Sequence, residues 1–193
     1  MNLQIPKIIQ QNIYMNQQIL ENQDLQIEIK KVVDLCINAL KADKKILFCG
    51  NGGSASDAQH LAAELSGRFY LERKPLFAEA LHVNTSYLTA VANDYGYDDI
   101  YARLIRAKGR NGDVLFAMST SGNSPNIVKA VHQANQQGLI TIGMTGESGG
   151  AMKSIVNILL NMPSTVTPRI QEAHILVGHI ICELVEAAFE GTK

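Results

Sequence analysis

A histidine and a glutamate four residues apart, His60 and Glu64, share one face of any helix that carries them, about one turn apart. An imidazole beside a carboxylate can ligate a zinc-type ion or move protons. Such a pair is also common as plain solvated surface. What singles this one out is the stretch before it, where Gly50, Asn51, Gly52, Gly53 and Ser54 follow the apolar run 46–49. Glycines let backbone approach a ligand, and the free N–H groups of a helix start attract anions. Ser54 is expected to cap that helix, with Asp57 three residues on as the other half of a capping box. Residues 50–55 also fit G-x-G-x-x-A, a dinucleotide fingerprint. The fingerprint wants an acidic residue at the end of the next strand to hold a ribose, and that run ends in Leu81 and His82 with Glu79 inside it. A nucleotide-dependent enzyme is the weaker reading.

A second polar turn, Ser119, Thr120, Ser121, Gly122, Asn123 and Ser124, follows the apolar run 114–118. Ser124 before Pro125 reads as an N-cap followed by proline at the first helical position. Several hydroxyls at a helix start make a cradle for a phosphate, and without a Walker lysine the ligand is a small phosphorylated metabolite, not a nucleoside triphosphate. The plainer alternative is a serine-rich loop that satisfies its own backbone. Near the end of the chain stand Gln171, His174 and His179. On a helix Gln171 and His179 lie about 80° apart, and Gln171 and His174 about 60° apart in the opposite sense. The two histidines are therefore not expected to serve one site, and spacing does not choose between them. Arg169 and Glu172 read as surface charges, and Asn93 with Asp94 as a turn.

The elements that must position these residues alternate. Apolar runs at 46–49, 77–81, 114–118, 139–144 and 157–161 read as short strands. Helical stretches lie between them at 54–66, 87–92, 98–108 and 125–136, and a long last helix covers about 168–190. Such alternation implies a mainly parallel sheet with helices on both faces, whose ligands bind beyond the carboxyl ends of the strands. Two further helices are expected first, over about 5–20 and 24–42, more than an α/β core requires. They can cover an open face or exchange between subunits.

The 193 residues fit one domain, a helical pair over 1–43 and an α/β core over 44–193. A hydrophobic fraction of 46% with 18% charged residues describes a globular chain, and a net charge of −1 gives no footprint for nucleic acid. Three scattered cysteines, Cys36, Cys49 and Cys182, match neither a disulfide framework nor a paired-cysteine metal site. With no basic region leading an apolar core at the start, a cytoplasmic location is expected. No apolar run approaches the length of a bilayer span.

Taken in order, Gly50 to Ser54, the Asp57 to Glu64 stretch, Asn93 with Asp94, Ser119 to Ser124, and the Arg169 to His179 stretch resemble the bacterial phosphoheptose isomerases, sedoheptulose 7-phosphate isomerases of the sugar isomerase (SIS) domain class. The resemblance covers nearly the whole chain, including the leading helices. It implies a three-layer, flavodoxin-like fold with a five-stranded sheet, a homotetramer with sites at subunit interfaces, and formation of D-glycero-D-manno-heptose 7-phosphate for lipopolysaccharide or another surface polysaccharide. The family's zinc ligands fall on His60, Glu64, Gln171 and His179. Its sugar-phosphate contacts fall on Asn51, Gly52, Gly53, Ser54, Glu64, Asn93, Asp94, Ser119, Thr120, Ser121, Ser124 and Gln171. The resemblance thus selects His179 and returns His174 to a structural role.

The implied chemistry suits these residue types. Ketose–aldose exchange moves a proton between C1 and C2 through an enediol, which needs a base at carbon and an acid/base at the oxygens. Glu64 is expected as the base and His179 as its partner, with zinc as a Lewis acid. Coordination lowers a carboxylate's basicity, so the ligand and base roles of Glu64 compete. The competing interpretation is a non-catalytic SIS module, of the sugar-phosphate-sensing or replication-initiator-associating kind. Such relatives keep the phosphate cradle and generally lose the acid/base residues.

Overall fold

The computed structural model describes residues 4–191. Two helices come first, α1 (Gln4–Glu21) and α2 (Gln23–Lys41), the second capped by the Asn22 side chain, which accepts from the Leu25 N–H at 3.0 Å. Then β1 (Ile46–Gly50), α3 (Gly53–Ser66), β2 (Ala78–Ala80), α4 (Thr85–Tyr95), α5 (Ile100–Lys108), β3 (Val114–Met118), α6 (Pro125–Gln136), β4 (Ile140–Thr145), β5 (Ile158–Asn161) and α7 (Thr167–Ala187) follow. The strands form one sheet of order β2-β1-β3-β4-β5. All four pairings are parallel, where the sequence suggested only mainly parallel.

Every residue of β1 and β3 is buried, as strands covered on both faces must be. The pleat divides them. Ile46, Phe48, Val114 and Phe116 face a core shared with α1, α2, α3 and α7, and Leu47, Cys49, Leu115 and Ala117 face one shared with α4, α5 and α6. Phe48 and Phe116 stack at 4.9 Å on the first side. The two leading helices therefore complete one cover of the sheet. Their hold on α7 is polar as well. Arg169 pairs with Glu172 and donates to the Ile8 carbonyl at 3.2 Å, and Glu172 accepts from Asn12 at 2.6 Å. These are not surface charges, because they brace α1 against α7.

Three local expectations change. The N-cap of α3 is Gly52, at φ +53, with no side-chain cap bond. Ser54 sits buried inside the first turn, so no capping box forms with Asp57. Helix α4 runs on to Tyr95, stopped by Gly96 at φ +93, and takes Asn93 and Asp94 into its last turn. Helix α7 ends at Ala187, slightly before the expected end.

Candidate active site

Helices α3 and α7 lie side by side, and Gly178 is why they can. A Cβ there would lie 2.6 Å from both methyls of Leu61. The residues next to this contact, His60 and His179, are thereby brought together with their Nε2 atoms 2.9 Å apart. Glu64, one turn after His60, places Oε1 3.0 Å from His60 Nε2. One ligand atom from each of His60, Glu64 and His179 lies within 4.8 Å of the other two. Gln171 reaches the start of α3, where its side-chain carbon would be 2.8 Å from a Cβ on Gly53. A larger residue at position 53 would push this amide aside, so glycine leaves room for Gln171 in its present place.

The donor set suits zinc. Ligand bonds of about 2.0–2.1 Å in a tetrahedron separate donor atoms by roughly 3.3 Å. The observed 2.9 and 3.0 Å contacts need open by only a few tenths of an ångström. Two imidazoles and a carboxylate are ligand types such an ion takes, while the Gln171 amide lies against Gly53, about two turns before His60 on α3. Asp57, three residues before His60, has its carboxyl pushed up by burial, against the pull of His60, and its Oδ2 has no hydrogen-bond partner.

The second polar turn follows β3, which pairs with β1, so both loops rise from adjacent strand ends. Ser124 is the N-cap of α6 with Pro125 at the first turn, yet its hydroxyl makes no cap bond. It meets the Ser119 hydroxyl at 3.0 Å, while Ser121 Oγ accepts from the Asn123 N–H at 3.1 Å. Thr120 and Ser121 open onto a polar cavity of about 250 Å³ with Gly146, Glu147 and Ser164. At the start of α6 Pro125 has no N–H, and the Ile127 N–H donates to the Ser124 carbonyl and to Asn126 Oδ1, both at 3.0 Å, so the hydroxyls are the main groups this turn offers an anion.

Residues that carry no sequence signal tie the two loops together. Asn126, 2% exposed, exchanges both amide bonds with Asn51, at 2.9 and 2.8 Å. The Tyr97 hydroxyl donates to Asn51 Oδ1 at 3.2 Å, and the buried Tyr101 hydroxyl donates to the Gly50 carbonyl. Asn51 Oδ1 is thus fully used, and one N–H of its amide is left for a ligand. Asn93 and Asp94 are exposed and hydrogen-bond to each other at 2.9 Å. Among the described residues, no hydrogen bond carries either side chain to the trio or the serine turn.

His174 is fully buried and faces away from the trio, its Nε2 3.2 Å from the Thr145 carbonyl. Burial drives its pKa down to about 4, against the opposing effect of that carbonyl. Glu79 of β2 pairs with Lys108 and so offers no ribose contact. The cysteines are free and buried; burial pushes the thiols of Cys49 and Cys182 up to about 12.

The comparisons with known proteins agree with this fold. Residues 12–146 match the model of the SIS domain family. The phosphoheptose isomerase of Rhodospirillum rubrum is 57% identical over 150 residues, 78% of this chain and 80% of that one. That of Clostridium acetobutylicum is 48% identical over 96% of this chain and 94% of its own. The structure of phosphoheptose isomerase from Neisseria gonorrhoeae superposes with a TM-score of 0.90 at 40% identity, covering 96% of this chain and 98% of that one.

Proposed function

The chain belongs to the SIS-domain family of phosphoheptose isomerases, and on that premise we propose that it interconverts D-sedoheptulose 7-phosphate and D-glycero-D-manno-heptose 7-phosphate. The observation that carries this reading is the convergence of His60, Glu64 and His179 from two helices, α3 and α7.

In this reading the hydroxyls of Ser119, Ser121 and Ser124, at the start of α6, grip the phosphate. Asn51 offers its remaining N–H to the sugar, with Gly52, Gly53 and Gln171 shaping the floor. Glu64 takes the proton from C1 of the open-chain ketose and returns it to C2. His179 gives a proton to O2 and takes one from O1, so nothing is oxidised overall. A zinc ion held by His60, Glu64, Gln171 and His179 would supply positive charge to the developing enediolate. The two roles of Glu64 divide between its oxygens, since Oε1 already faces His60 and Oε2 is free for the carbon proton.

Assembly into a homotetramer belongs to the same proposal. Its support is the outer face of α1, where Ile5, Ile8, Ile9 and Ile13 are 63, 50, 54 and 53% exposed. Sites completed at subunit interfaces would bring Asn93 and Asp94 to a substrate. A cytoplasmic place in supplying heptose to surface polysaccharide completes the reading; no helix among the described residues is long and apolar enough to cross a membrane.

The test follows conversion of sedoheptulose 7-phosphate by purified protein, before and after chelation and with zinc restored. Turnover that is lost on chelation and recovered with zinc is expected. Absence of turnover with zinc present would reject the isomerase reading. Replacing Glu64→Gln or His179→Gln should abolish activity in a folded protein, and wild-type rates in both would reject the assigned roles.

A further inference from the structure

The connection between α3 and β2 has no regular structure of its own, yet its backbone is firmly held. The Glu186 carboxylate, on α7 and 1% exposed, accepts from three consecutive N–H groups: Phe69 at 2.9 Å, Tyr70 at 2.6 Å and Leu71 at 2.9 Å. Arg73, with a fully buried side chain, brings Nε to 3.1 Å from Glu186 Oε1. Its guanidinium donates to the carbonyls of Gly67 at 3.2 Å, Lys74 at 3.1 Å and Glu64 at 2.9 Å. One buried ion pair thus ties the backbone of Glu64 to the helix that carries His179.

Glu186 stands seven residues after His179, two turns along the same side of α7. The first residue it holds, Phe69, lays its ring 5.5 Å from the His179 ring. We infer that Arg73 and Glu186 are positioning residues of the isomerase site. They fix the last turn of α3 against α7 and set the aromatic wall on which the His179 imidazole rests. The inference rests on the isomerase reading for its kinetic consequence but not for its geometric one.

Stability alone is a poor account of the pair. Burying two charges costs several kcal/mol per ion, and apolar replacements of buried pairs are often neutral. Here the cost secures a particular arrangement, because both charges are spent on backbone groups flanking the trio. Residues that orient the groups around a metal site affect affinity or activity about 10–100-fold when changed.

The experiment replaces Glu186→Gln, which keeps the shape but turns an amide NH2 toward backbone donors. Two readouts are taken: the imidazole NMR signals of the metal-free protein and the separate kcat and KM. His174, buried on the same helix, reports whether the fold is intact. The expected result is a shifted or broadened His179 signal with His174 unchanged, and kcat down about 10–100-fold with KM within about twofold. Arg73→Lys, which cannot fork to three carbonyls, should do the same. Wild-type His179 signals and kcat in the folded variants would overturn the inference. So would joint movement of His174 and His179, or unfolding of both variants, since either makes the pair a general stabiliser. If the wild-type protein shows no turnover, the isomerase reading fails by itself, and the His179 signal still judges the pair.

Discussion

Replacing Gly178→Ala adds one methyl at the closest approach of α3 and α7. That carbon would stand 2.6 Å from each Leu61 methyl and 3.1 Å from its Cγ. Carbon pairs settle at about 3.5–4.0 Å, so something must yield by roughly 1 Å. Leu61 is 1% exposed, and the void beside it holds only about 10 Å³, the volume of one water probe. The side chain has nowhere to turn, and the helices must part. Their separation carries His60 and His179 with it, from the present 2.9 Å to roughly 4 Å. A misplacement of about 1 Å costs on the order of 100-fold in rate. Overpacking costs about 1–3 kcal/mol, whereas Gly→Ala within an unobstructed helix normally gains about 1 kcal/mol, so the sign of the stability change is itself informative. At about 2–4 °C per kcal/mol for a chain of this size, the melting temperature should fall by several degrees. The assay is kcat for the sugar phosphate together with a thermal melt followed by circular dichroism. Adding Leu61→Ala to Gly178→Ala should return much of the activity without returning the stability, because it vacates the space but leaves a cavity elsewhere. Wild-type kcat in Gly178→Ala would refute the claim that this contact sets the spacing of the trio.

Asn126→Leu frees the Asn51 amide and should lower kcat/KM about tenfold, equivalent to about 1.4 kcal/mol, with zinc binding unchanged in a competition titration. His174 is held neutral in the folded state, its pKa depressed to about 4 from an ordinary value near 6.5. Its contribution to stability is complete above pH ~6.5 and is lost as pH falls towards 4. Chemical denaturation in that window should show a decline that His174→Gln flattens. Because Cys36, Cys49 and Cys182 are buried, an aromatic disulfide reagent should leave the native protein unlabelled and titrate three thiols after unfolding.

Much of the architecture was legible because it is local. The apolar runs that became β1 and β3 are buried on both faces, and such strands announce themselves without neighbours. His60 and Glu64 were legible for the same reason, being one helical turn apart. The choice of His179 over His174 was not, since it depends on which side of α7 meets α3, and that is set by Gly178 against Leu61. The roles of Asn126, Arg73 and Glu186 were equally silent. Each acts on a partner far away in sequence, and an isolated Asn or Glu reads as surface. The capping box at Ser54 failed for a nearer cause: Gly52 takes the cap position at positive φ, and the serine is turned inward. The polar pair Asn93 and Asp94 looked like a turn, but α4 absorbs it and stops at the first glycine beyond.

The meeting of His60 with His179 spans 119 positions of the chain. Everything on the α3 side is made early in synthesis, and its counterpart belongs to the final helix. A nascent chain can lay down all five strands and still lack the place where the reaction would occur. Long-range closures of this kind come late in folding, after the local contacts that make them affordable. Recovery of activity after denaturation should accordingly trail the recovery of secondary structure. The appearance of turnover then dates the docking of α7, and the enzyme carries its own clock for the end of assembly.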